Sequence, residues 1–136
     1  MSNSFAGRVF IGRLFISLGA LNAFISVAMG AFAAHALKHS LAERYLSAIQ
    51  TAADYQFYHA LGLILIGILY QQNRDRLTAL SGWFMLCGIL FFSGSLYVLG
   101  LSGTKWLGMI TPAGGLCLMI AWLILAFAHL RPDHHH

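Results

Sequence analysis

The stretch "YQFYHALGL" brings Tyr55, Gln56, Tyr58 and His59 to the mouth of an apolar run. An imidazole titrating near neutrality beside phenols and an amide can relay a proton, hold a polar ligand, or anchor a helix end. Further groups of the same kind follow. "SGSLY" supplies Ser93, Ser95 and Tyr97, "TPAGG" supplies Thr111, and His35 closes "GAFAAH". Ser93 and Tyr97 are four apart and share one helix face. Brought to one level, His35, Tyr55, Gln56, Tyr58, His59, Ser93, Ser95, Tyr97 and Thr111 form a candidate polar cluster or ligand site. Two readings stand beside each other: a structural network, or a site for an ion, a proton or a lipid headgroup. Catalysis is not expected. Tyr58 and His59 are sequence neighbours whose side chains diverge on a helix, and GxSxG, HExxH and Walker patterns are absent. No cofactor is expected. Cys87 and Cys117 lie in apolar segments without a metal-ligand spacing, so no metal site is expected either.

The elements that must position these groups are set by composition. The 136 residues are 59% hydrophobic and 9% charged, with mean hydropathy +0.73. A soluble domain carries about a quarter charged residues, so the solvent here is lipid. The net charge of +4 comes from Lys and Arg outside the apolar cores, which excludes a nucleic-acid patch and reads as topology signalling. Residues 1–133 form a single integral membrane domain, and His134, His135 and His136 read as a tag remnant. The fold class is an all-α membrane protein with four transmembrane helices, at about 14–34, 55–71, 77–99 and 107–129. The apolar run Leu14–Ala34 is too long for a signal peptide, despite the A-x-A-like Ala34-His35-Ala36, and reads as a retained span.

Between the first two spans, Ser40-Leu41-Ala42-Glu43 matches a capping box and predicts a short amphipathic interfacial helix over 40–54. Leu41, Tyr45, Leu46, Ile49, Ala52 and Ala53 share one face, and Glu43, Ser47, Gln50, Thr51 and Asp54 the other. That helix is expected to run into the second span directly or through a bend. Thr111 as N-cap with Pro112 at the first helical position would start the fourth helix; a Pro kink in a longer helix from Leu107 is the alternative.

Gly19, Ala23, Ser26, Gly30 and Ala33 line one face of the first span, with Asn22 at its border. Ser81, Gly88 and Ser95 make a sparser line on the third. Both predict close helix packing, within one protomer or in a homo-oligomer. Arg8, Arg13, Arg74, Arg76 and Arg131 fall on one side, and Lys38, Arg44 and Lys105 on the other, which favours cytoplasmic termini. The expected setting is a bacterial plasma membrane. The expected partners are the lipid bilayer, a second copy, a bound lipid or another membrane protein, and not nucleic acid.

Four motifs occur in order: "LGALNAFISVAMGAFAAHALK" (18–38), "YQFYHALGL" (55–63), "FFSGSLYVL" (91–99) and "LGMITPAGG" (107–115). Together they closely resemble the DUF423 family, also called UPF0382, of small four-helix membrane proteins. The likeness covers about 14–130 and implies an integral membrane protein without an established activity. The family's characteristic positions would correspond to Gly30, His35, Tyr55, Gln56, His59, Ser93, Gly94, Ser95, Tyr97, Thr111, Pro112, Gly114 and Gly115. The function these features imply is non-enzymatic binding or scaffolding. The rivals are a small transporter or channel accessory that titrates His35 and His59 and, third, an intramembrane enzyme.

Overall fold

The computed structural model describes residues 2–132; the His134–His136 end lies outside them. The described residues form α1 (Ser2–His35), α2 (Glu43–Asn73), α3 (Arg76–Ser102), a short 3-10 helix (Lys105–Met109) and α4 (Thr111–Leu130), with no strand among them. Four helical segments are long and apolar enough to cross a membrane, the fourth running from Lys105 to Leu130. They pack in chain order, α1 on α2, α2 on α3 and α3 on α4. Short connections make consecutive helices antiparallel. Both ends of the described chain therefore lie with the α2–α3 turn, where Arg131 pairs with Asp75 at 3.6 Å and Arg74 stacks on Phe5.

The α2–α3 turn shows how a tight reversal is written in sequence. Arg74 adopts a left-handed conformation (φ 51°), and its N–H caps α2 on the Tyr70 carbonyl. Asp75 follows as N-cap of α3, accepting from the Thr78 N–H at 3.2 Å.

The 40–54 segment is not a helix of its own. From Glu43 onward its residues are the first turns of α2, continuous with the second span. Ser40 does not cap it. The chain winds off α1 through turn bonds such as Ser40 N–H to Leu37 O (3.0 Å), and the Ser40 hydroxyl faces back toward Ala36 O. Ala42 is the N-cap and gives no side-chain bond. At about 1.5 Å per residue α2 is about 46 Å long, against an apolar core of about 30 Å. Its polar first turns account for the excess.

Thr111 is likewise the first residue of α4, not its cap; that position falls to Ile110. The chain before it is 3-10, so the helix type changes ahead of Pro112, and there is no long α-helix kinked at the proline. The Thr111 hydroxyl is engaged elsewhere, 2.7 Å from that of Ser95.

Large apolar side chains face outward along every helix, among them Phe24, Leu65, Leu90 and Leu123. The interior is a cluster of Phe15, Leu63, Ile66, Met85, Ile89, Leu118, Ala121 and Leu125. α2 is the most enclosed helix. Its contact with α1 depends on glycines: a Cβ on Gly19 would lie 2.8 Å from the Ala60 carbonyl oxygen, and one on Gly67 2.8 Å from that of Gly12. Between α3 and α4, Gly88 receives Leu118, and Gly114 lies against the backbone at Phe91 and Phe92. On the α1 face, Ser26 and Ala33 are buried and Ala23 is half-buried. Gly30 is looser: its Cβ would meet only Ala53, at 3.9 Å. Gly67→Val should therefore lower stability in detergent by about 1–3 kcal/mol, while Gly30→Ala stays within about 0.5 kcal/mol. Thermal melts followed by circular dichroism distinguish the two, and equal melts would refute the crossing.

Candidate functional site

Three helices meet in one hydrogen-bonded chain. The Tyr97 hydroxyl on α3 donates to Gln56 Oε1 on α2 at 2.6 Å. Gln56 Nε2 donates to Asn22 Oδ1 on α1 at 2.9 Å, and Asn22 Nδ2 donates to the Leu18 carbonyl at 2.8 Å. Every bond runs in the same sense, from α3 toward α1. Turning either amide over would set oxygen against oxygen, so the two orientations fix each other. Gln56 is 5% exposed. Its place is set by Ala52, Ala53 and Ala60, buried residues on the same helix that let α1 and α3 approach. A chain of like-directed donors polarises cooperatively, and burial raises the cost of losing a member.

Three serine hydroxyls of α3 make separate ties. Ser93 Oγ donates to the Ala52 carbonyl at 2.8 Å, crossing to α2. Ser95 Oγ meets Thr111 Oγ1 and also bonds the Phe92 carbonyl at 2.9 Å. Ser81, further along the same helix, donates to the Ala121 carbonyl of α4 at 2.8 Å. Each pins an interhelical contact where side chains are small.

His59 belongs to a third group. Its Nδ1 lies 2.7 Å from the Tyr55 carbonyl, the geometry of an Nδ1–H donor, which leaves Nε2 as the acceptor. Tyr55 stacks on the imidazole with ring centres 5.9 Å apart and meets Phe92 at 4.8 Å; Trp122 of α4 is tilted against His59, also at 5.9 Å. Trp122 also fills the space at Gly62, where a Cβ would lie 3.0 Å from its ring. The sequence reading did not single out Trp122 or Gly62. A glycine one turn below a histidine was the available signal.

The nine polar candidates thus fall into several small groups. Gln56 and Tyr97 share the chain with Asn22, Ser95 pairs with Thr111, Ser93 ties to α2 alone, and Tyr55 packs with His59. His35 ends α1, exposed, without a hydrogen bond to the rest. Tyr58 faces outward onto an open groove of about 390 Å³ between α1 and α2, lined also by Ser26, Gly30, Ala53 and Asp54. Among the described residues, no buried side-chain polar atom lacks a partner, and no three His, Cys, Asp or Glu residues gather to hold a metal. Cys87 is exposed, Cys117 is half-buried, and both are free.

The family model described as "Protein of unknown function (DUF423)" matches residues 29–115, the segment that carries Gln56, His59, Tyr97 and Thr111. The chain belongs to the DUF423 family. It is 45% identical over 119 residues to a UPF0382 membrane protein of Staphylococcus epidermidis (strain ATCC 12228 / FDA PCI 1200), covering 88% of this chain and 97% of that one. It is 46% identical to the UPF0382 membrane protein of Staphylococcus aureus (strain bovine RF122 / ET3-1), with the same coverage. The UPF0382 membrane protein YwdK of Bacillus subtilis (strain 168) is 40% identical over 124 residues, 88% of this chain and 98% of YwdK. No solved structure matches. This DUF423 protein is therefore a membrane protein, as these UPF0382 relatives are named.

Replacing Gln56 by Leu strands Asn22 Oδ1 and the Tyr97 hydroxyl together. The expected loss is about 1–2 kcal/mol, the upper part of the range for interhelical bonds in lipid. Tyr97→Phe alone should cost less, and the double variant less than the sum. Strict additivity in unfolding midpoints would show that the chain is not one unit.

Proposed function

We propose that this DUF423 protein is a non-enzymatic binding or scaffolding protein of the bacterial plasma membrane, with both termini in the cytoplasm. The polar first turns of α2 lie in the outer interface. One observation carries the reading: Gln56, His59, Ser93, Ser95 and Tyr97, the polar candidates inside the bundle, are bonded to other side chains or to backbone carbonyls. Gln56, the most central, has both ends of its amide engaged. A transport path needs groups that exchange partners, with ionisable side chains deep in the spans. The described spans supply a closed chain instead. What remains for function is the outer surface of the bundle, where lipids and other helices dock. The groove at Ser26, Gly30 and Ala53, whose floor is small, suits a second copy of the chain.

Proteoliposomes loaded with a pH-sensitive dye separate this reading from the transporter. Background-level proton flux, unchanged in His59→Ala, is expected; flux above background that His59→Ala abolishes would establish transport. Orientation is tested by placing single cysteines at Lys38 and Arg74 in a chain lacking Cys87 and Cys117. Labelling from opposite sides, with residue 38 reached from outside, is expected, and labelling of both from one side overturns the topology. Gly30→Leu should leave the monomer's melt in place and reduce the cross-linked oligomer, whereas an unaltered oligomer would remove that face from assembly.

A further inference from the structure

The end of the bundle opposite the termini holds a second cleft of about 340 Å³, lined by Arg44, Tyr45, Leu99 and Lys105. Arg44 and Tyr45 come from the first turn of α2, Leu99 from the last turns of α3, and Lys105 opens the 3-10 helix. The Arg44 guanidinium lies 4.7 Å from the centre of the Tyr45 ring and donates to the Tyr45 hydroxyl at 3.0 Å. That stacking holds the guanidinium in one orientation and leaves most of its N–H groups free to donate. Tyr45 is itself set against Gly103, the left-handed cap of α3, whose Cβ would come 3.7 Å from the hydroxyl. Among the described residues neither Arg44 nor Lys105 pairs with a carboxylate; the described ion pair is Arg131 with Asp75, at the other end. Glu43, beside Arg44, does not line the cleft.

The position along the bundle names the medium. Trp106 and Met109, on the same 3-10 helix as Lys105, are 61% and 80% exposed, and Leu101 and Val98 on α3 also face outward. Arg44 lies about 45 Å along α2 from Arg74, so the cleft sits at the rim of the apolar band on the far side from the arginine-rich turn. The cleft therefore combines two cations from separate elements, a hydroxyl, and an apolar wall that continues into the lipid-facing surface. We infer that this cleft binds the headgroup of an anionic glycerophospholipid, its phosphate between Arg44 and Lys105 and an acyl chain along Leu99. Basic recesses between transmembrane helices at the interface hold headgroups in this way. A free anion would use the cations but not the apolar wall.

The inference rests on the binding reading and gives it a ligand class. Its test uses the full chain in neutral detergent, with native mass spectrometry of bound phosphatidylglycerol against phosphatidylcholine of the same chains. The wild type should retain phosphatidylglycerol roughly tenfold or more over phosphatidylcholine, given two cations at the surface. The Arg44→Gln/Lys105→Gln variant should bring the two lipids within about twofold, and Arg44→Lys/Lys105→Arg should keep most of the preference. Lys105→Gln alone breaks no described hydrogen bond, so it serves if the double variant fails to fold, and should lose roughly fivefold. Equal retention by the wild type, or an undiminished preference in the glutamine variants, overturns the site. Displacement of the lipid by an equal concentration of inorganic phosphate would make it a free-phosphate site and overturn the lipid assignment. Any of these failures, with proton flux still at background, leaves the non-transport reading standing; flux above background would end that reading and leave the lipid preference measurable on its own.

Discussion

Lipid offers no hydrogen bonds, and the structure follows from that constraint. Helices satisfy their own backbones, but an Asn and a Gln within the spans must find partners in the protein. The Tyr97–Gln56–Asn22–Leu18 chain meets this need and fixes the mutual rotation of α1, α2 and α3, because Gln56 accepts from α3 and donates to α1, where Asn22 is held on its own helix's Leu18 carbonyl. α4 joins through shorter ties, Ser81 to Ala121 and Ser95 to Thr111. Apolar packing alone would leave several rotations of such smooth helices close in energy. The polar bonds choose among them.

Those bonds reach only because the backbones come close. Glycine at 12, 19 and 67 lets α1 lie on α2 almost backbone to backbone, and glycine at 114 does the same for α4 on α3. Small residues thus determine distance, and polar residues determine angle. Toward the α1 C-terminus, where Gly30 has only Ala53 near it, the helices part and leave the groove beside Asp54 and Tyr58. The same sequence face therefore serves as a tight contact at one end and as an open surface at the other.

Much of the architecture was legible in the sequence, since span length and charge placement are one-dimensional quantities. Four apolar runs gave four long helices, and the turn at Arg74–Asp75 fell between the second and third. The capping box misled because Ser40 is held in the turn that leaves α1, a contact no local pattern reveals. The offset at Thr111 has a similar origin: its hydroxyl answers a tertiary partner, Ser95, in place of its own helix start. The polar residues were visible singly, but their grouping was not. Whether Gln56 meets Tyr97 or His59 depends on rotations that only the packed glycines fix, and Trp122 acquires its role from the space left at Gly62.

The direction of the central chain also bears on how the protein is made. Helices enter a membrane in the order of synthesis, so Asn22 arrives first with its Oδ1 lacking an acceptor's partner until Gln56 follows, 34 residues later. Gln56 Oε1 then waits another 41 residues for the Tyr97 hydroxyl. Each newly inserted helix brings the donor that the preceding one lacks. The first two amides of the chain thus lie on one helical hairpin, α1 with α2, and the hydroxyl that completes it lies on the helix made after that hairpin.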